Sequence, residues 1–288
     1  MFAPAFDYYR ASSVAEAGEL LRKYPGAKLI AGGHSLIPLL KLRLASPPAV
    51  VDIGRIRELK GITRKDGVVR IGALTTHAEI AASSVIREQC PALAEAAQVV
   101  GDPAVRNRGT IGGNVAHADP ASDLPTVLTA LGARFEIAVS GASKLSDAAS
   151  FFTGMMSTTL GEHDLLVAVE VPVRPSGQGQ AYVKFVHPAS RYAVVGVAAA
   201  LTASGGTCTA AAVAIGGLVP QATRAVAVEQ ALAGQQLSAD SIARAAADVS
   251  RHLGDDVLGD LYASANYRKA VAPVWVKRAL TAAADRAK

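Results

Sequence analysis

The sequence reads as an α+β protein: two small α/β lobes, then a sheet followed by helices. Three observations carry this. Strand-sized apolar runs alternate with helix signals as far as Val171. A stretch rich in Pro, Gly and Ser, VPVRPSGQG, then marks a boundary. Beyond it, three runs joined by short turns read as a β-meander, and helical patterns fill the rest of the chain. The 288 residues are enough for a buried core.

Each element has a local reason. Ser13 to Glu16 fits the S-x-x-E capping box, and Val14, Ala17, Leu21 and Tyr24 then share one helical face. Gly26 ends that helix. Strands are expected at Leu29 to Ala31, Val50 to Ile53 and Val68 to Ile71. Thr76 to Glu79 is a second capping box. Pro91 to Val99 is Ala-rich and helical, broken by Gly101-Asp102-Pro103. Leu124 to Leu131 is a helix closed by Gly132, and Arg134 to Val139 and Leu165 to Val171 are strands. Past the boundary, the strands are Ala181 to Val186, Val194 to Thr202 and Cys208 to Ile215. Helices follow at Ala225 to Ala233, at Ala239 to Leu253 capped by Ser238, and from about Ala265 to Ala284.

Composition excludes several function classes. The chain is 50% hydrophobic, but no apolar run reaches bilayer length, so no transmembrane segment is expected. MFAPAFDYYR lacks the pattern of a signal peptide. A net charge of +5 with no long basic run, and only 5% aromatics, argues against nucleic acid as a partner. Two cysteines, Cys90 and Cys208, are too few to ligate an iron–sulfur cluster in this chain. The six histidines show no HxxH or HExxH spacing, so no metal site is assigned. There is no nucleophile elbow and no pair of catalytic carboxylates, so no catalytic residue is assigned either.

Two glycine pairs stand out. Leu29-Ile30-Ala31 enters Gly32-Gly33, then His34 and Ser35, with Pro38 opening a short basic helix. Thr110-Ile111 enters Gly112-Gly113-Asn114, followed by the acidic loop ADPASDLP, where Ser122 or Asp123 suits a helix N-cap. Neither is a P-loop or a GxGxxG fingerprint. Both read as strand-to-turn-to-helix segments whose N–H groups form anion-binding nests. Together they suit the two phosphates of one pyrophosphate, gripped from opposite sides.

AGGHS (Ala31 to Ser35) and TIGGN (Thr110 to Asn114), with ADPASDLP, resemble the FAD-binding medium subunit of the molybdenum hydroxylases, the xanthine dehydrogenase and aerobic carbon monoxide dehydrogenase family. The resemblance covers the whole chain. It implies an FAD-binding domain of the PCMH type over residues 1–176, with lobes of about 1–54 and 55–176. A C-terminal domain of a three-stranded antiparallel sheet plus helices is implied over 177–288. The implied cofactor contacts are Leu29, Ile30, Ala31, Gly32, Gly33, His34, Ser35, Leu36, Thr110, Ile111, Gly112, Gly113, Asn114 and Asp123, with Leu166 and Lys184 near the flavin end. Tyr192 reads either as a turn residue or, by resemblance, as a residue over the flavin ring.

The resemblance further implies that FAD is carried here, while molybdopterin and two [2Fe–2S] clusters reside in partner subunits only. The implied assembly is a dimer of heterotrimers with an iron–sulfur small subunit and a molybdopterin large subunit, passing electrons to an external acceptor. Its place is the cytoplasm, or the inner face of the membrane through the complex. An independent FAD-dependent diaphorase or oxidase, and a non-enzymatic assembly or scaffold protein, are the competing readings.

Overall fold

The computed structural model describes residues 2–287. The first sheet has three parallel strands in the order β1-β3-β2: β1 (Asp7–Arg10), β2 (Lys28–Ile30) and β3 (Ala49–Asp52). Helix α1 (Val14–Lys23) and helix α2 (Leu36–Lys41) are the crossovers that parallel neighbours require. Ser13 caps α1 by accepting from Glu16 N–H, but the Glu16 carboxylate turns back to Ser12 rather than completing a box. Ala17 and Leu21 close this lobe's core against Val51, Ile53 and Leu59.

The second sheet is antiparallel, in the order β4-β5-β10-β6-β7. Its strands are β4 (Ile62–Lys65), β5 (Val68–Gly72), β6 (Arg134–Val139), β7 (Ala142–Asp147) and β10 (Leu165–Pro172), with a small hairpin of β8 (Phe152–Gly154) and β9 (Ser157–Thr158) inserted before β10. Between β5 and β6 run α3 (His77–Ala82), α4 (Ser84–Gln89), α5 (Pro91–Val99), α6 (Pro103–Arg106), α7 (Ile111–His117) and α8 (Asp123–Ala130); α9 (Ala148–Phe151) follows β7. Thr76 and Glu79 form a complete capping box on α3. Cys90 lies in this core, where burial pushes its thiol up to about 12 and leaves it inert.

The third sheet holds the expected meander, β11 (Gln178–Val186), β12 (Ala193–Ser204) and β13 (Thr207–Gly216), and a two-residue edge strand, β14 (Thr223–Arg224), makes it four-stranded. So short a strand leaves no periodicity to read. Helices α10 (Val226–Leu232), α11 (Ala239–Ala247), α12 (Val249–His252) and α13 (Ala265–Arg286) follow. The expected single helix from Ala239 is interrupted at Asp248. The long α13 carries Pro273 inside it.

Strand β12 is buried along nine consecutive residues because both its faces are covered. Helices α10, α11 and α13 pack on one face, and α5 and α8 on the other. The approach of α8 depends on two glycines paired across the sheet, Gly196 and Gly216. A Cβ on Gly196 would lie 2.7 Å from the Tyr182 hydroxyl, and one on Gly216 would fall on the Thr126 hydroxyl. This notch brings the start of α8 against β11. Among the described residues, no helix is long and apolar enough to cross a membrane.

Candidate functional site: a cavity between the sheets

The first glycine segment, Ala31 to Ser35, leaves β2 and enters α2. Gly33 sits at φ +77, a conformation that glycine adopts freely. Gly32 is needed for a different reason: a Cβ there would fall on the Arg108 carbonyl oxygen and reach 3.0 Å from the Gly109 Cα. The two glycine segments therefore approach each other, backbone to backbone. The N–H groups of Gly32, Gly33, His34 and Ser35 donate to no acceptor among the described residues, and Ser35 makes no side-chain cap. Four consecutive free donors at a helix start form an anion nest.

The second segment differs from its expectation. It is the first turn of α7, with Thr110 as N-cap, and not a paired-glycine turn after a strand. Its N–H groups are already engaged. Ile111 donates to Thr75 O at 3.0 Å, Gly112 to Ala73 O at 2.9 Å, Gly113 to Thr110 Oγ1 at 3.2 Å and Asn114 to Thr110 O at 3.0 Å. A Cβ on Gly112 would lie 2.5 Å from the Ala73 Cβ, so close packing explains this glycine. Asn114 Oδ1 accepts from Ser122 Oγ at 2.8 Å, which leaves its amide N–H₂ group as the free donor.

Ser122 is the N-cap residue of α8, and Asp123 its first residue. Both are buried. Asp123 Oδ1 accepts from the Tyr182 hydroxyl at 2.6 Å and Oδ2 from Lys184 Nζ at 2.9 Å. Burial pushes the Asp123 carboxyl up, while the Lys184 ammonium and the Tyr182 hydroxyl pull against it. Burial, followed by the Asp123 charge, also raises the Tyr182 phenol well above its ordinary value, so it remains a donor.

These segments border one cavity of about 740 Å³, inside the range of roughly 300–1,000 Å³ usual for ligand sites. Leu29 to Leu36, Thr110, Gly112, Gly113, Asn114, Asp123, Leu166 and Tyr192 all line it. Ile111 and Lys184 do not. Ile111 is fully buried in the core, and Lys184 stands behind the wall with its side chain 2% exposed.

His77 and Ser122 also line the cavity, and neither was read as a site residue. In the sequence Ser122 carries only the signal of a helix cap. His77 directly follows the Thr76 cap, so its sequence signal was absorbed by the helix start. Its ring packs on Gly109, its Nδ1 has no partner, and burial pulls it down to about 4. It is neutral at pH 7.

The residues present fit a dinucleotide cofactor. The free N–H groups of Gly32 to Ser35 suit phosphate oxygens. Hydroxyl and amide donors sit opposite, on Thr110 and Asn114. Apolar walls from Leu29, Leu36, Leu39 and Leu166 suit ring systems. The fold and cavity thus fit a protein that carries a dinucleotide cofactor.

The comparisons make this specific. Residues 4–174 match the family described as FAD binding domain in molybdopterin dehydrogenase, and residues 180–283 the CO dehydrogenase flavoprotein C-terminal domain. The chain is 38% identical over 284 residues to the carbon monoxide dehydrogenase medium chain of Hydrogenophaga pseudoflava, covering 98% of each. It is 37% identical to the glyceraldehyde dehydrogenase medium chain of Sulfolobus acidocaldarius, covering 97% of this chain and 98% of that one. A solved carbon monoxide dehydrogenase from Hydrogenophaga pseudoflava, lacking the Mo-pyranopterin moiety of its cofactor, superposes with a TM-score of 0.96 at 39% identity over the full length of both chains. The chain belongs to the FAD-binding medium-subunit family of the molybdenum hydroxylases.

Proposed function

We propose that this chain holds FAD in the cavity between its sheets and relays electrons from the [2Fe–2S] clusters of a partner subunit to an external acceptor: NAD, a quinone or oxygen. When bound, FAD supplies the exchange between one-electron and two-electron carriers. The observation that carries the reading is the run of free N–H groups from Gly32 to Ser35, facing the start of α7 across the cavity. Those N–H groups take the diphosphate, helped by the hydroxyls of Ser35 and Thr110. Asn114 donates its amide to the cofactor, and Leu166 and Tyr192 pack beside the flavin.

Asp123 acts at the wall through its pairing with Tyr182 and Lys184. Substrate oxidation falls to a molybdopterin large subunit, and the complex is a cytoplasmic dimer of heterotrimers. We read residues 1–176 as the FAD-binding domain and 177–288 as the C-terminal domain. The reading is tested by loading the full chain with FAD and precipitating it with acid. Release of about one free FAD per chain is expected, because no covalent attachment is required; a colourless chain, or flavin kept in the pellet, contradicts it. In the assembled complex, substrate is then expected to bleach the flavin absorbance.

A further inference from the structure

One wall of the cavity is a turn of the third sheet, the residues from His187 to Tyr192 that join β11 to β12. Ser190, Arg191 and Tyr192 line the cavity there. Ser190 and Tyr192 also border a second cavity of about 250 Å³, whose lining includes His187, Asp260 and Arg268. The turn is therefore a partition between the two spaces. It is exposed, with Tyr192 43% accessible, and Arg191 sits at φ +61, a conformation unfavourable for a side chain of its type. Such a turn keeps its place only if its surroundings fix it.

Lys184 does this. Its buried ammonium donates to Val99 O at the end of α5 (2.9 Å), to Asp123 Oδ2 at the start of α8 (2.9 Å) and to Arg191 O in the turn (2.8 Å). All three donors of the side chain are used, each on a different element. Asp123 supplies the countercharge that a buried ammonium needs. A second tether runs from Arg191 Nε to Gly101 O at 2.8 Å.

We propose that Lys184 is a positioning residue: without touching the cavity, it latches the turn to the cavity wall and so holds Tyr192 against the bound cofactor. This rests on the reading that the cavity takes FAD. In that state Tyr192 screens one side of the cofactor from solvent, and the bond from Lys184 to the Arg191 carbonyl, with the tether from Arg191 to Gly101, fixes the screen to the wall.

The test is iodide quenching of flavin fluorescence in the full chain loaded with FAD. Wild type is compared with Tyr192→Ala, Lys184→Met and the double variant. Both single changes are expected to raise the quenching constant severalfold, read at equal concentrations of bound FAD. The double variant is expected to match the single ones, because the two residues act through one element. Lys184→Met leaves the buried Asp123 carboxyl without its cation and risks misfolding. Arg191→Asn is the second variant: it spares the ion pair, removes the tether to Gly101, and places at positive φ a residue that tolerates it. It is also expected to raise quenching. Quenching that rises with Tyr192→Ala but with neither latch variant overturns the proposal, as do additive effects or a Tyr192→Ala protein quenched like wild type. A wild-type chain that takes up no FAD overturns the cofactor reading and the latch with it.

Discussion

The two glycine pairs look alike in sequence and differ in what they do. Gly32-Gly33 leads four N–H groups that find no acceptor among the described residues, and Gly33 holds a positive φ. Gly112-Gly113 lies inside a helix whose first donors are already bound, and Gly112 is pressed against Ala73. The first pair presents free donors to the cavity, whereas in the second Gly112 allows a helix to pack where a side chain would collide with Ala73. Both pairs contain a glycine set by close packing, Gly32 against the Arg108 carbonyl and Gly112 against Ala73. Only the hydrogen-bond partners of the backbone separate the two roles.

That contrast can be broken by substitution. Gly112→Val is expected to have the largest effect. Its new atoms meet backbone, which cannot move aside as a flexible side chain does, and overpacking of this kind costs about 3 kcal/mol or leaves the chain insoluble. A Gly112→Val protein that melts like wild type removes the packing explanation.

Acid is the next probe, because it acts beneath the second pair. His77 packs on Gly109 and titrates at about 4 when folded, against 6.5 as its ordinary value. The unfolded chain therefore binds this proton first. Stability is full above about pH 6.5 and falls as pH drops towards 4, by up to about 3 kcal/mol from this group. Urea unfolding at pH 7.5 and 4.5 measures the loss, and His77→Gln is expected to flatten that part of the slope. An unchanged slope in His77→Gln assigns it to other groups.

Gly33→Val sharpens the comparison from the other side. A side chain at positive φ costs about 1–2 kcal/mol, and its nearest new neighbour is the end of the flexible Ile37 side chain. The fold is expected to survive while FAD affinity, read by flavin fluorescence titration, falls about tenfold or more through loss of charge-assisted hydrogen bonds. Thr110→Ala is the mildest change, costing about 1 kcal/mol in thermal unfolding as a lost N-cap.

Much of this architecture was legible. The capping residues Ser13, Thr76 and Ser238 marked their helices because one side-chain oxygen at a helix start has a local signature. Strand β6 and helix α5 fall where periodicity placed them. The AGGHS and TIGGN segments pointed to the cavity they line. What stayed hidden was set by distant partners. Nothing local reveals that Gly112 faces Ala73, that Ile111 is core, or that Lys184 spends its three donors on Val99, Asp123 and Arg191. Strands β1, β4 and β7 were missed because they are short, largely exposed edge strands with little apolar alternation.

Amide hydrogen exchange of the full chain with and without FAD tests the central claim most directly. If the nest of the first pair grips the diphosphate, peptides spanning Gly32 to Ser35 exchange fast in the free chain and slow sharply on binding. Those spanning Ile111 to Asn114, whose N–H groups are already bonded, change little. Protection gained at Ile111 to Asn114 with none at Gly32 to Ser35 would contradict it.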